Sequence, residues 1–362
     1  MVFFSKQLLF WYSQNKRDLP WRETNDPYLI WISEIILQQT RVAQGLEYYK
    51  RFVVKWPDVQ SLAAAPEQEV MKMWQGLGYY SRARNLLSAA RTVVSDYAAQ
   101  FPETSAGLKK LKGIGDYTAA AIASIAFHEK IGVVDGNVIR FLTRVFGIDE
   151  ASDSPVCRQI VQQKANELLE DSHPGTFNQA LMEFGALMCT PTNPDCLSCP
   201  LNSICEAYRQ NAVALYPVKK QKVKVRDRYF SYLVFLVDRN REKYTFIRKR
   251  NENDIWKGLY EFPLIESDLM LMAHEIVENA EFNELIGAHS FRLLFVSPEI
   301  RHQLTHQRLH ARFFVFQFEK AFNSQPESLS LVNLNQLGEY PLPRLIDRFL
   351  QQNDLSDIVK TD

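Results

Sequence analysis

The stretch "LKGIGDYTAAAIASIAF" (111–127) places a hydrophobic–x–Gly–hydrophobic–Gly turn directly ahead of an apolar helix. Glycines at 113 and 115 permit positive φ and let another group come close to the backbone. The amides at the start of the following helix then point outward, where an anion such as a phosphate can sit. A plain corner between two helices would use the same residues, so the turn alone leaves both readings open. Its spacing is that of a helix–hairpin–helix element, which grips a nucleic-acid backbone without reading bases.

Around this turn, residues 1–210 read as almost entirely helical. Apolar positions recur at helical spacing over 27–38, 41–54, 66–75, 82–98, 116–127, 136–146, 156–170 and 176–188. Pro27, Pro66 and Pro155 stand near expected helix starts, and Gly76, Gly78 and Gly147 near expected ends. The texture changes after Tyr216. A basic linker over 218–228 leads into "YFSYLVFLV" (229–237), "KYTFIRKR" (243–250), "SFRLLFV" (290–296) and "HARFFVFQF" (310–318), which read as strands. One helix is expected about 268–280 and another near 344–352. The fold class is therefore a mostly α region followed by a smaller α+β domain.

The chain has 362 residues, with 42 basic and 42 acidic side chains, so no overall basic excess marks a nucleic-acid partner. Local basic patches would have to carry one. No apolar run reaches membrane-spanning length, and no membrane association is expected. The opening "MVFFSKQLLFWYSQNK" reads as an amphipathic helix, not a signal peptide. Four of the five cysteines fall in "CTPTNPDCLSCPLNSIC", as Cys189-x6-Cys196-x2-Cys199-x5-Cys205. So close a group in a helical chain points to a metal centre in a reducing compartment. A four-cysteine zinc site is the competing assignment. Cys157 reads as a small buried apolar residue.

In "PYLIWISEIILQQT" (27–40), Glu34 lies on a helix that is apolar nearly all round. Such a setting disfavours the charged carboxylate and raises its pKa, which suits a general acid near neutral pH. In "VVDGNVIR" (133–140), Asp135 is an N-cap by position and could also face the groove of the hairpin.

Turn, aspartate and cysteine loop together resemble the endonuclease III superfamily of base-excision glycosylases, and within it the MutY-type adenine glycosylases. The similarity runs through "LPWR" (19–22), "SEIILQQTRV" (33–42), "GLGYYSRARNL" (76–86), the hairpin, "VVDGNVIR" and the cysteines, and more faintly to about 318. It implies a [4Fe–4S] cluster on Cys189, Cys196, Cys199 and Cys205. It implies that Glu34 protonates N7 of adenine and that Asp135 stabilises the cationic sugar. Tyr117 and Asn137 would support them, with Asn137 orienting water or Glu34. Bifunctional relatives carry a Schiff-base lysine where this chain has Tyr117, so an abasic site is the expected product, without strand cleavage.

The resemblance further implies DNA contacts by Gly113 and Gly115, and by Gln38, Gln39, Thr40, Leu77, Tyr79 and Arg82 in loops that enter the duplex beside a flipped adenine. Arg84, Lys109, Lys110 and Lys112 could add phosphate contacts. "DIWKGLYEFPLIE" (254–266) is similar to the start of a Nudix-like domain, but the carboxylates of a working diphosphohydrolase are not in register. That domain would recognise 8-oxoguanine through Leu304-Thr305-His306, where the family commonly has Phe-Ser-His. His302 and His310 read as strand-edge polar residues.

The expected partition is a glycosylase domain over 1–217, with a six-helix lobe of about 20–125 and an Fe–S lobe of 1–19 and 126–217. The linker 218–228 and a recognition domain over 229–355 follow. Expected partners are double-stranded DNA with A:8-oxoG or A:G. The expected state is a cytoplasmic monomer in a bacterium, acting at the nucleoid. A non-catalytic Fe–S DNA-binding protein and a glycosylase for another mispaired base are the competing readings.

Overall fold

The computed structural model describes residues 2–169, 173–219, 225–239, 241–251, 254–287, 289–318 and 329–358. The expected linker falls at 220–224 outside the described residues. The helices are α1 (Val2–Asn15), α2 (Pro27–Leu37), α3 (Val42–Lys55), α4 (Val59–Ala64), α5 (Glu67–Met73), α6 (Ser81–Asp96), α7 (Ser105–Leu108), α8 (Asp116–Ala126), α9 (Gly136–Phe146), α10 (Pro155–Leu168), α11 (Pro174–Leu187) and α12 (Glu206–Arg209). The strands are β1 (Arg226–Arg239), β2 (Glu242–Lys249), β3 (Tyr260–Glu261), β4 (Leu264–Ser267), β5 (Phe291–Val296), β6 (Ile300–Gln303), β7 (Gln307–Phe318) and β8 (Ser330–Asn333). Among them lie α13 (Ala273–Glu278) and α14 (Ala280–Ile286), and α15 (Arg344–Gln352) follows. By internal contacts, residues 1–65 with 85–221 form one compact unit, and 66–84 with 222–362 form another.

In the first unit one core joins α1 to α9, α10 and α11. Phe4 stacks on Phe141, and Trp11 meets Phe184 edge-on at 4.8 Å. Cys157 is buried there, as expected. The helix starts follow their caps: Asp26 accepts from Tyr28, Asp135 from Val138 and Ser154 from Cys157.

At the hairpin, Gly113 has φ +84, whereas Gly115 is an extended N-cap at φ −91 and ψ −178. Only the first glycine is therefore required by backbone conformation. A Cβ at Gly113 would stand 2.6 Å from Cβ of Asn85, while one at Gly115 would meet nothing within 4 Å. Gly113→Ala is expected to cost about 1–3 kcal/mol from the left-handed backbone, with the clash on top. Gly115→Ala costs less. Urea unfolding of the two variants checks the difference, and equal midpoints would refute it.

The second unit is built on one eight-stranded sheet. β1 and β7 run parallel at its centre, with Arg226 opposite Gln307 and Val237 opposite Phe318. The run 230–237 is buried without a break, Ser231 included, because both faces are covered. Phe230, Tyr232, Val234 and Leu236 face a core closed by α15, where Phe349 stacks on Phe313. Leu233, Phe235 and Val237 face another core with α13 and α14. β1 begins at Arg226, so the last residues of the expected linker are strand. His310 is held between Glu299 at 2.8 Å and Asp227 at 3.0 Å. Buried Glu261 pairs with Arg248 and Arg250, while Arg228 holds Asp254 and Glu266, tying 254–266 to the sheet.

Candidate active site

Glu34 sits on the buried side of α2 and is 7% exposed. The hydroxyl of Tyr117, in the first turn of α8, donates to its Oε2 at 2.5 Å. Burial pushes the Glu34 carboxyl up to about 7. Donation by Tyr117 opposes this, the charge of Asp135 adds to it, and Arg22 opposes it. Oε2 is engaged by Tyr117, which leaves Oε1 to carry the acid proton.

Asp135 caps α9, its Oδ1 accepting from Val138 N–H at 2.7 Å. Its Oδ2 accepts from the side-chain amide of Asn137 at 2.8 Å. Burial raises its pKa, and these hydrogen bonds work the other way. Asn137 thus orients Asp135; the expectation that it orients Glu34 has no hydrogen bond behind it among the described residues. Arg140 donates to Asn137 Oδ1 at 2.9 Å and to the carbonyls of Gly185 and Cys189. A Cβ on Gly185 would strike the Asn137 backbone at 2.7 Å, so glycine lets α11 pack against this start of α9.

Three side chains that sequence reasoning left without a role complete this region. Glu183 on α11 is 1% exposed and accepts from both Arg17 and Arg22. Its burial alone would raise its pKa, but the two arginines bring it down to about 2. Arg22 belongs to the quoted "LPWR", which was the only signal available. Glu183 lies 161 residues from Arg22 and shares no pattern with it.

The four cysteines line one cavity of about 30 Å³ with Phe141, Arg144 and Phe184. Arg144 donates to Cys189 Sγ at 3.4 Å and to the carbonyls of Thr190 and Pro191. Burial raises the thiols of Cys196 and Cys205, and that of Cys199 to about 11. Among the described residues, no three ligand-type side chains are drawn together tightly enough for a single ion. The all-sulfur donor set is the chemistry that an iron–sulfur cluster takes.

Gln38 donates to Thr118 Oγ1 at 3.2 Å. Gln39 is exposed at φ +56 and Thr40 is half-buried beside it. In the second unit Tyr79 is 52% exposed at φ +47, not a core aromatic. Its hydroxyl lies 2.8 Å from Thr305 Oγ1, while His306 is exposed and Leu304 packs on the sheet core. Leu77 and Arg82, both expected at the DNA surface, are buried. The tight turn after Gly76 sends Leu77 inward, and Arg82 donates to the carbonyls of Leu77 and Gly78. Desolvation lowers the Arg82 pKa to about 10. Arg82 therefore shapes the loop that presents Tyr79. Arg84 donates to the Lys257 carbonyl and Lys109 pairs with Asp116, whereas Lys110 and Lys112 are exposed.

Residues 32–167 match the HhH-GPD superfamily of base excision DNA repair proteins, and 233–352 match a NUDIX domain. The chain is 32% identical to an adenine DNA glycosylase of Buchnera aphidicola subsp. Schizaphis graminum, over 96% of this chain and 98% of that protein. It is 48% identical to the Mus musculus adenine DNA glycosylase over 57% of this chain, and spans 42% of the mouse protein. It thus covers less than half the length of the mammalian and plant relatives it matches. A solved thermostable thymine-DNA glycosylase superposes with a TM-score of 0.54 at 32% identity, over 57% of this chain and 95% of that one.

Proposed function

The chain belongs to the adenine DNA glycosylase family, and from that premise we propose that it hydrolyses the N-glycosidic bond of adenine mispaired with 8-oxoguanine or guanine in duplex DNA. The observation that carries this reading is Glu34, a buried carboxyl whose pKa stands at about 7, beside a tyrosine and an aspartate.

In this mechanism Glu34 gives its proton to N7 of a flipped adenine. The C1′–N9 bond breaks and its electron pair leaves with the now neutral base. Asp135, oriented by Asn137, stabilises the positive charge left on the sugar. Water adds to C1′, and the proton it releases restores Glu34. Tyr117 holds Oε2 of Glu34 and cannot form an imine, so the product is an abasic site on an intact strand. Arg17, Arg22 and Glu183 supply fixed charge beside the acid. Cys189, Cys196, Cys199 and Cys205 hold a [4Fe–4S] cluster, whose contribution is to crosslink the loop that Arg140 and Arg144 connect to α9.

The amides after Gly113 and Gly115 take a backbone phosphate, and the open side of Gly115 gives it room. Gln38, Gln39 and Thr40 border the flipped base. Tyr79, presented by the loop of Leu77 and Arg82, wedges into the duplex, and Thr305 and His306 read the opposite base. The protein acts as a monomer at the nucleoid, in the cytoplasm of a bacterium. Among the described residues, no helix is long and apolar enough to cross a membrane.

The test uses a duplex with one A:8-oxoG pair, labelled on the A strand, and iron-replete protein. Strand breakage only after alkali is the expected result. Breakage without alkali would mean a lysine acts as nucleophile. Binding with no breakage under either condition would favour the non-catalytic reading.

A further inference from the structure

Helix α15 of the second unit carries two cations that, among the described residues, no carboxylate pairs. Near the hairpin of β6 and β7, Arg301 pairs with Glu299, Arg308 stands 3.5 Å from Asp227, and Arg228 is held by Asp254 and Glu266. Arg344 and Arg348 lie one helical turn apart on α15, both exposed and, among the described residues, in no ion pair. Leu345, Ile346 and Phe349 are buried beneath them, and Phe349 stacks flat on Phe313, so the helix cannot roll. Asp347, the only acid of α15, turns away to Gln75 and Gln351. Arg348 and Arg301 line one groove with Ser297, Pro298, Gln352 and Glu299, the carboxylate that Arg301 and His310 hold. The charges of both α15 arginines reach His302 on β6, where burial and then Arg348 and Arg344 lower its pKa. His302 precedes the exposed Thr305 and His306 on the same hairpin.

We propose that Arg344 and Arg348 form a phosphate-gripping face of the second unit, which holds the backbone of duplex DNA beside the β6–β7 hairpin. Two unpaired guanidiniums spaced along an exposed helix face suit successive phosphates. Contacts of this kind set register and affinity but read no base. The proposal rests on the reading of the chain as a DNA glycosylase, but not on which base it removes.

The experiment compares the full-length, iron-replete protein with Arg344→Gln/Arg348→Gln. Binding is measured against salt on two duplexes of equal length, one with an A:8-oxoG pair and one undamaged. Each phosphate contact contributes about 0.9 to the slope of log K against log salt, so the double variant should be shallower by about 1.8. Affinity should fall by the same factor on both duplexes. Arg344→Lys/Arg348→Lys keeps the charges and should restore the wild-type slope, which separates charge from folding. An unchanged slope, a loss on the damaged duplex alone, or failure of the lysine pair to restore the slope would overturn the proposal. Adenine release by the wild type is scored separately. If it is absent while the slope still changes, the adenine reading fails and the phosphate face stands.

Discussion

Glu34→Gln should take adenine release down by about 10²–10⁴-fold while duplex binding survives. Glutamine matches the shape of the buried carboxyl, and its carbonyl can still accept from the Tyr117 hydroxyl. What it lacks is an acidic proton. The same substitution has a signature in stability. Ionising a buried carboxyl raised from 4.5 to about 7 costs the fold about 3 kcal/mol. The folded-state pKa lies above the unfolded one, so the stability associated with the protonated group is complete below pH 4.5 and is lost as pH rises through about 7. The glutamine variant should therefore match the wild type in acid and exceed it in alkaline solution. Base release by the variant at the wild-type rate would remove Glu34 from the mechanism.

Asp135→Asn should slow base release by about 10²–10³-fold, the scale at which one preorganised electrostatic group is lost. The amide oxygen can still cap α9 through Val138, so folding should suffer little. Its nitrogen, however, would face the amide of Asn137, and the negative charge beside the sugar is gone. A second consequence has a definite sign. The charge of Asp135 disfavours ionisation of Glu34. Without it the Glu34 pKa falls, and the alkaline limb of the residual pH–rate profile should move to lower pH. Single-turnover rates across pH measure both effects. Wild-type rates, or a limb displaced upward, would contradict the arrangement.

Much of the scaffold was legible because local signals agreed with the fold. α9 runs Gly136–Phe146 as expected, with Asp135 as its cap and Gly147 as its left-handed end. The β-branched and aromatic residues of 229–237 announced the strand β1, though not that both its faces are buried. Short strands such as Tyr260–Glu261 were not legible, since two residues carry no period. The single helix expected about 268–280 divides at Asn279, whose side chain accepts from Glu281 and caps α14. In the site, Glu34 stood out because a lone carboxylate in an apolar helix is unusual. Glu183 did not, because its partners lie far away in sequence and only the fold brings them to it. Leu77 and Arg82 were placed at the DNA surface by the resemblance of "GLGYYSRARNL", which matches the loop but does not give the direction of each side chain.

The most direct test of the central claim is the pH dependence of single-turnover adenine release by the wild-type protein on an A:8-oxoG duplex. If Glu34 donates the proton, the rate should hold at acid pH and fall about tenfold per pH unit beyond about 7, as the acid ionises. A rate that stays flat through neutrality, or rises with pH, would mean that the proton comes from elsewhere.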